Sequence, residues 1–329
     1  MATYKGIQGY RVESLASDPP AAIGLGQLWY NSGSNVWKVG SVGAGAWAAG
    51  GALNTPRPNN FGAADAPNTA TIVAGGGPGP TMTATEKYNG TSWTETGDAL
   101  PTSIYGNALI GTQTAALSIG GVLTTPGALT AVVNTYNGST WTTGTSLTGS
   151  ARQVMGKAGT QTAAFVFGGE PVPSGEEQWN GTSWTETANM STSRGQAGSG
   201  GTTTAALCIS GGQSVPTITT NVEEWNGTSW TEIADVTLAR RGLFAGVGSP
   251  TNAVCSGGQA LPATGYTKNT EIWNGTSWTE GANQTYQCYK NAGCGTGTAA
   301  IMVGQTNSPY ATTEVWSGAP ESIQTVTTS

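Results

Sequence analysis

The chain has 329 residues, of which only 9% are charged, and it contains 51 glycines and 12 tryptophans. This aromatic content excludes a disordered chain, and the scarcity of Leu, Lys and Glu excludes a helical protein, so we expect a globular and nearly all-β fold. The net charge of −6, without any run of Lys or Arg, disfavours nucleic acid as a partner.

Two further classes are disfavoured by what the sequence lacks. No stretch approaches the roughly 18 apolar residues of a membrane span, and the N-terminus has no apolar signal-peptide core, so we expect neither membrane insertion nor export by that route. The chain has no histidine, and its four cysteines show no CxxC spacing. We therefore expect buried thiols, with no metal site and no cofactor. The cysteines are Cys208, Cys255, Cys288 and Cys294.

Residues 1 to 42 precede the repeats and contain one clear hairpin. Around the turn NSGSN, Leu28 to Tyr30 and Val36 to Val39 alternate as antiparallel strands do. The stretch GQLWYN resembles hairpins of bacteriophage fibre and other virion proteins, which implies an attachment segment. The residues that this resemblance assigns to the attachment hairpin are Trp29, Tyr30 and Trp37. The alternative is an ordinary amphipathic hairpin packed on the rest of the chain.

From residue 43 to residue 318 the sequence repeats itself. The tryptophan that follows NGTS or NGST recurs at spacings of 48, 43, 46 and 48 residues, and a glycine pair closes a short apolar run upstream of it. A period of this size indicates a fold built of repeated units. The tryptophans are Trp93, Trp141, Trp184, Trp230 and Trp278, and the second glycines of the pairs are Gly76, Gly121, Gly169, Gly212 and Gly258.

Each unit reads as four antiparallel strands. A small-residue strand, an apolar strand ending at the glycine pair, an alternating strand and a strand opened by the tryptophan follow one another. The Asn-Gly between the last two predicts a two-residue type I′ turn, which needs positive φ at both centres. Four strands at this period predict a propeller blade, so we interpret the tryptophans as packing residues between blades rather than as a sugar-binding platform.

The glycine pair, the aromatic residue five positions before the tryptophan, and the arginine that opens several units resemble the kelch family. The sixth glycine copy ends at Gly304 without a following NGTSW, whereas the segment around Trp47 aligns with the missing strand. We therefore expect an all-β, six-bladed kelch-like β-propeller whose last blade is closed by an N-terminal strand, followed by a tail at residues 319 to 329.

Arginines near the start of four units are the main binding candidates. They are Arg57, Arg152, Arg194 and Arg241, with Arg240 as the alternative to the last. Repeat symmetry would place them on one face of the channel, where guanidinium groups suit carboxylates and sulfates of an anion or glycan. The alternative is a structural role in bonding to the adjoining blade. The glutamates that follow the tryptophans form no spaced carboxylate pair, so we expect no catalytic residues.

These observations favour a non-enzymatic virion structural protein of a phage, tail-associated or capsid-decorating. Residues 1 to 42 would bind other virion proteins, and the propeller would display loops for host glycans or virion proteins. The protein would be assembled in the host cytoplasm and released by lysis. Its tail would add a strand to a neighbouring chain, and the protein could form a homo-oligomer within the particle. Two alternatives are a secreted or surface bacterial carbohydrate-binding module and a glycan hydrolase on a propeller.

Overall fold

A computed structural model of the chain describes residues 14–18, 28–57, 62–63, 67–77, 82–171, 175–212, 217–260, 265–304, 310–318 and 321–326. Strands are the regular elements of this part of the chain, which contains no helix long and apolar enough to cross a membrane. The strands form small, mostly antiparallel sheets. The all-β class predicted from composition is confirmed.

The chain divides into two compact units, of which the first combines Met1–Gly45 with Gly318–Ser329. Its four-stranded sheet has the order Ser14–Leu15, Leu28–Asn31, Val36–Val42 and Glu321–Thr325. The two middle strands form the predicted hairpin. We expected the tail to add a strand to a neighbour, but it pairs antiparallel with Val36–Val42 of its own chain. The reason is that this strand offers an unpaired edge to the chain's own end.

The second unit, Ala46–Ser317, contains six four-stranded antiparallel sheets in its described part, numbered here 1 to 6. Sheet 1 comprises Gly62–Ala63, Ile72–Ala74, Ala84–Tyr88 and Trp93–Ala99. Sheet 2 comprises Ala108–Gly111, Ala116–Ile119, Val133–Tyr136 and Trp141–Thr143. Sheet 3 comprises Gly156–Gly159, Ala164–Phe167, Glu177–Trp179 and Trp184–Glu186. Sheet 4 comprises Gly198–Thr202, Ala205–Ile209, Val222–Trp225 and Trp230–Ile233. Sheet 5 comprises Phe244–Ser249, Asn252–Ser256, Thr270–Trp273 and Trp278–Glu280. Sheet 6 comprises Ala292–Gly295, Ala299–Val303, Thr313–Ser317 and Ala46–Ala49.

Sheet 6 takes its fourth strand from the beginning of the unit, where Trp47 lies opposite Trp316. Two short ladders accompany the sheets: Ile104–Tyr105 pairs with Val122–Leu123, and Arg240–Arg241 pairs with Gln259–Ala260. The first strands of consecutive sheets contact one another, and the first strand of sheet 6 also contacts that of sheet 1. These strands are rich in Gly and Ala because backbones approach closely there.

The core lies between neighbouring sheets. Ile72 of sheet 1, for example, shares a buried cluster with Leu109, Tyr136 and Trp141 of sheet 2. Similar clusters join sheets 2 and 3, 3 and 4, and 4 and 5, and a larger one joins sheets 5, 6 and 1. Burial of the second strand on both faces explains its continuous apolar sequence.

The tryptophan that opens each fourth strand reaches the preceding sheet. The indole N–H groups of Trp93, Trp141 and Trp47 donate to the hydroxyls of Thr313, Thr85 and Thr270 at 3.0, 2.9 and 3.0 Å. In two other sheets valine replaces the threonine of the preceding sheet, and the indole donates to a backbone carbonyl instead. These pairs are Trp184 with Thr145 O and Trp278 with Ala234 O, both at 3.0 Å. These five tryptophans thus combine apolar packing with one satisfied polar contact, whereas the indole N–H of Trp230 in sheet 4 has no partner among the described residues.

The glycine pairs bond to the following sheet through their backbone. The amide of Gly121 donates to Arg152 O at 2.8 Å, and the amide of Gly258 donates to Cys288 O at 2.7 Å. Gly121 has a φ of 107°, and a Cβ there would lie 2.6 Å from Tyr105 O. Glycine is required because this conformation and this approach both exclude a side chain.

The Asn-Gly turns are four-residue loops, which corrects the predicted type I′ turn. In sheet 3, Trp179 pairs with Trp184, and of the loop residues between them only Gly181 has a positive φ, of 91°. The Oδ1 atom of Asn180 accepts the amide N–H groups of Thr182 and Ser183 at 2.9 Å each. Asparagine therefore serves as a side-chain acceptor, not as a left-handed residue.

Replacing Asn180 by Ala should lower the free energy of unfolding by about 1 kcal/mol, because two amide groups lose their acceptor. Asn180→Asp keeps an acceptor at the same position and should lose less. Urea denaturation of the two variants measures the difference. Equal stability of Asn180→Ala and the wild type would show that water replaces the side chain without loss.

Candidate functional site

Three of the four arginines proposed as ligand contacts, Arg57, Arg152 and Arg194, lie in buried ion pairs, as does Arg240, which corrects the proposal for those three. The pairs are Arg57 with Glu86, Arg152 with Glu177, Arg194 with Glu223 and Arg240 with Glu271, at N–O distances of 3.2, 2.9, 3.0 and 2.6 Å. The arginines are 2% exposed or less, so none presents its guanidinium to a ligand. The repeat position in sheet 5 belongs to Arg240 rather than Arg241.

Each glutamate also fixes the segment that leads into its sheet. Glu177 accepts the amide of Thr148 at 2.7 Å, its hydroxyl at 2.6 Å, and the amide of Gly149 at 3.3 Å. Arg152 Nη2 donates to the other oxygen, Oε1, at 2.9 Å. One buried carboxylate thus joins the third strand to the connection from the preceding sheet. Charge-assisted bonds of this kind are the strong ones.

Two sheets depart from this arrangement. In sheet 2 both members change, and Ile104 and Asn134 occupy the positions of the arginine and the glutamate. In sheet 6 Cys288 replaces the arginine, whereas Glu314 is retained and accepts the amide of Thr285 at 2.9 Å. Burial raises the pKa of the Cys288 thiol to about 12, so it stays protonated. The other three cysteines are likewise buried and unbridged, as the sequence predicted.

A second polar cluster forms where the connections between sheets meet. It is named here the Lys290 cluster and consists of Glu170, Gln196, Arg241, Tyr266, Tyr289 and Lys290. Gln196, Arg241, Tyr289 and Lys290 lie just before the first strands of sheets 4, 5 and 6, and Glu170 and Tyr266 follow the second strands of sheets 3 and 5. Segments from four sheets therefore contribute to one site.

A relay of backbone hydrogen bonds brings these segments together. The amides of Val154, Gln196, Gly242 and Lys290 each donate to the equivalent carbonyl of the preceding sheet, beginning with Gly106 O, at 2.8, 3.1, 2.8 and 3.0 Å. All five residues have positive φ, and three of them are not glycine: Val154 (49°), Gln196 (54°) and Lys290 (58°). Non-glycine residues in this region are strained, and such strain concentrates at functional sites.

Side chains of the Lys290 cluster form a connected chain. Gln196 Nε2 donates to Glu170 Oε1 at 2.7 Å, and the hydroxyl of Tyr289 donates to Gln196 Oε1 at 3.1 Å. The ring of Tyr266 stacks on that of Tyr289 with centroids 5.0 Å apart and an interplanar angle of 11°. Lys290 Nζ lies 5.3 Å from the centroid of the Tyr289 ring.

The cluster carries two cations and one carboxylate. Partial burial lowers the pKa of Lys290, the charge of Glu170 opposes that shift, and the charge of Arg241 adds to it. Burial also raises the pKa of Tyr289, so its hydroxyl remains a donor. Arg241 Nε donates to Gln259 Oε1 at 3.1 Å. Hydrogen-bond donors, a carboxylate and aromatic rings in one place suit recognition of a polar ligand.

The sequence predicted neither Glu170, Gln196, Tyr289 nor Lys290 as site residues. The available signal was positional: Lys290 occupies the repeat position that holds Gly106 and Gly242 in two other units. In the described part of the chain, no group of three metal-ligating side chains occurs.

The predicted attachment residues lie on two neighbouring strands of the first unit. Trp29 is buried, and its indole donates to Asp18 Oδ1 at 3.2 Å. Tyr30 and Trp37 are paired across the hairpin, their rings meeting edge to face with centroids 5.5 Å apart. Trp37 is 42% exposed, so it is the residue of the three with the largest free apolar surface.

No family model and no curated protein matches the chain. Among solved structures, one described as "Structure of YjhT" superposes with a TM-score of 0.66 over 84% of this chain and 99% of that chain. The two sequences are 12% identical, so the likeness concerns the fold alone. The chain has an all-β, propeller-like fold of small antiparallel sheets.

Proposed function

We propose that the second unit is a six-bladed propeller closed by its own N-terminal strand. Three observations support this: the six four-stranded sheets, the contact between the first strands of sheets 6 and 1, and the hydrogen bond from Trp93 of sheet 1 to Thr313 of sheet 6. Ala46–Ala49 completes sheet 6, which leaves no unpaired edge at the closing point.

We propose that the protein is a non-enzymatic structural component of a phage particle, tail-associated or capsid-decorating. The observation that carries this proposal is that different parts of the chain form two compact units. The two ends of the chain build one small sheet, and the whole repeat array forms a separate compact unit. An attachment unit that is distinct from a display unit suits a protein held in a particle and exposed at its surface.

The attachment unit has an apolar row suited to a neighbouring virion protein. Tyr30 and Trp37 lie opposite each other, and the amide of Val326 donates to Trp37 O at 2.9 Å, which continues the row to the end of the fourth strand. Trp37 and Val326 are 42% and 39% exposed. Apolar side chains that remain exposed side by side mark interaction surfaces.

The repeat unit would display the recognition surface. Its loops after the glycine pairs differ between units, whereas the sheets are nearly constant, and variation on a rigid scaffold is typical of recognition. The Lys290 cluster includes residues of two such loops, Glu170 and Tyr266, and joins them to polar side chains of the neighbouring connections. We propose that this surface binds host glycans.

Incorporation into particles tests the structural role. Mass spectrometry of purified virions should detect the chain, and cryo-EM should place residues 1 to 42 against a neighbour. Trp37→Glu should reduce incorporation at least tenfold, because a charge is set into the apolar row. Tyr286→Glu is the matched control, since Tyr286 is 40% exposed in the other unit. Detection only in the soluble or secreted fraction would reject the virion role and favour a bacterial carbohydrate-binding module.

A further inference from the structure

Lys290 is a half-buried cation without an anionic partner of its own. Each of the four buried arginines pairs with a glutamate of its own sheet. Around the ammonium of Lys290 no hydrogen-bond acceptor makes contact in the described part of the chain, and the ring of Tyr289 lies at 5.3 Å. Removing an ammonium from water without a compensating partner is costly, so an external anion would improve its environment.

Glu170 does not supply that partner. Its Oε1 atom already accepts a short hydrogen bond of 2.7 Å from Gln196. Among the described residues, Glu170 is the carboxylate whose charge acts on Lys290, and Arg241 is the cation that opposes it. The cluster therefore has one positive charge in excess, within a chain whose net charge is −6. A local positive site on an acidic protein indicates selection for an anionic group rather than for general surface charge.

The backbone holds this cation in a fixed place. Lys290 has a φ of 58°, where a side chain is disfavoured, and its amide is tied to Gly242 O at 3.0 Å. Two equivalent positions, Gly106 and Gly242, are glycine and avoid the strain. Glycine would be conformationally easier at this position, so the lysine side chain is held there at a cost in backbone strain.

We propose that the Lys290 cluster binds the acidic group of a carboxylated or sulfated saccharide, with Lys290 as the anion contact. The rest of the cluster matches a sugar ring. The partly exposed ring of Tyr266, which is supported by stacking on the buried Tyr289, provides apolar surface for its C–H faces, and the partly exposed carboxylate of Glu170 provides a polar partner for hydroxyls. This inference rests on the glycan-binding part of the proposed function and narrows it to acidic glycans.

Binding to three size-matched oligosaccharides tests the proposal by isothermal titration calorimetry. The probes are a galacturonic acid tetramer, a sulfated galactose tetramer and a neutral galactose tetramer. We expect the full-length protein to bind one or both acidic probes at least tenfold more tightly than the neutral one, and binding of one alone identifies the acid. Affinity for acidic probes should fall as salt rises, because the contact is ionic.

Lys290→Gly tests the residue itself, because it reproduces the natural glycine of the equivalent positions and should fold. We expect it to lose at least tenfold in affinity for the acidic probe and to keep its weak affinity for the neutral one. Lys290→Met is a second variant that keeps the length of the side chain, and Lys268→Met is the control for an exposed lysine.

Other outcomes separate the two levels of the proposal. Equal affinity for acidic and neutral probes, or no change in Lys290→Gly, would overturn the acidic-glycan inference while leaving glycan display intact. Binding of an acidic peptide that depends on Lys290, with no saccharide bound, would overturn the saccharide class. Absence from purified virions would reject the structural role, irrespective of these affinities.

Discussion

Glu177→Asn should lower the free energy of unfolding by about 3–5 kcal/mol, the loss expected when one member of a buried ion pair is removed. Arg152 would keep its hydrogen bond to Gly175 O but would lose the neutralising charge that Glu177 holds 2.9 Å from its Nη2 atom. The amides of Thr148 and Gly149 would lose their acceptor in the same step. Urea denaturation followed by tryptophan fluorescence measures the change.

Sheet 2 supplies the matched control for this prediction. Its residues at these two positions are Ile104 and Asn134, an uncharged pair that the same fold accommodates. The double variant Arg152→Ile/Glu177→Asn should therefore be more stable than Glu177→Asn alone, because no unpaired charge remains buried. If the two substitutions destabilise additively, the ion pair contributes no coupling and the arginine and glutamate act independently.

The repeat sheets could be predicted because their signals are local. Glycine pairs, alternating strands and the NGTS turn lie within single units, and each depends on neighbouring residues only. The buried glutamates carried a local signal too, because each stands two residues before the aromatic residue near the end of a third strand. They are Glu86, Glu177, Glu223, Glu271 and Glu314. An arginine in a repeat that contains this glutamate is expected to form an ion pair with it rather than to contact a ligand.

The register of the arginines could not be resolved from spacing alone. Arg240 and Arg241 are adjacent, and both fit the beginning of a repeat. In the structure Arg240 occupies the repeat position of the paired arginines. The carboxylate of Glu271 lies 2.6 Å from Arg240, and Gly242, two residues later, has the positive φ of the equivalent position in the other sheets. Arg241 consequently falls outside the ion-pair series and into the Lys290 cluster, bonded to Gln259.

Of the Lys290 cluster, the sequence indicated Arg241 alone as a candidate anion contact, because the members of the cluster come from distant parts of the chain. Glu170 and Lys290 are 120 residues apart, and they meet only because a relay of backbone bonds runs from one sheet to the next. The same holds for the C-terminal tail, whose partner strand lies near the other end of the chain. Periodicity predicts the elements but not which irregular segments converge.

Sheet 3 contains a local conflict that leads to the second prediction. Glu176 occupies the position of Thr85, Thr270 and Thr313, whose hydroxyls accept an indole N–H from the next sheet. The tryptophan of that next sheet is Trp230, and its indole nitrogen is buried without a hydrogen-bond partner among the described residues. A carboxylate thus stands where three other repeats have a hydroxyl, and the indole that would use a hydroxyl there is unsatisfied.

Glu176→Thr should raise the free energy of unfolding at pH 8 by about 1–3 kcal/mol, the cost ascribed to an unsatisfied buried polar group. Glu176→Gln is the companion variant: it removes the charge but keeps an oxygen for the amide of Met190, which Glu176 binds at 3.1 Å. The difference between Glu176→Thr and Glu176→Gln then reports the hydrogen bond to Trp230 less the contribution of the acceptor for Met190, which only the glutamine keeps.

The gain should depend on pH in a defined direction. Burial raises the pKa of Glu176 above its ordinary value of 4.5, so the folded state holds this proton at pH values where the unfolded state has released it. Wild-type stability therefore falls, relative to both variants, as pH rises from about 4.5 through the folded pKa, and the deficit is constant above it. Below pH 4.5 Glu176 is neutral in both states, and the part of the gain due to charge should vanish.

Urea denaturation of the three proteins between pH 3.5 and 8 measures this difference, in which the titration of the other carboxylates cancels. A stability difference that does not vary with pH would mean that Glu176 is already well solvated, and the conflict in sheet 3 would then lie in the missing indole partner alone.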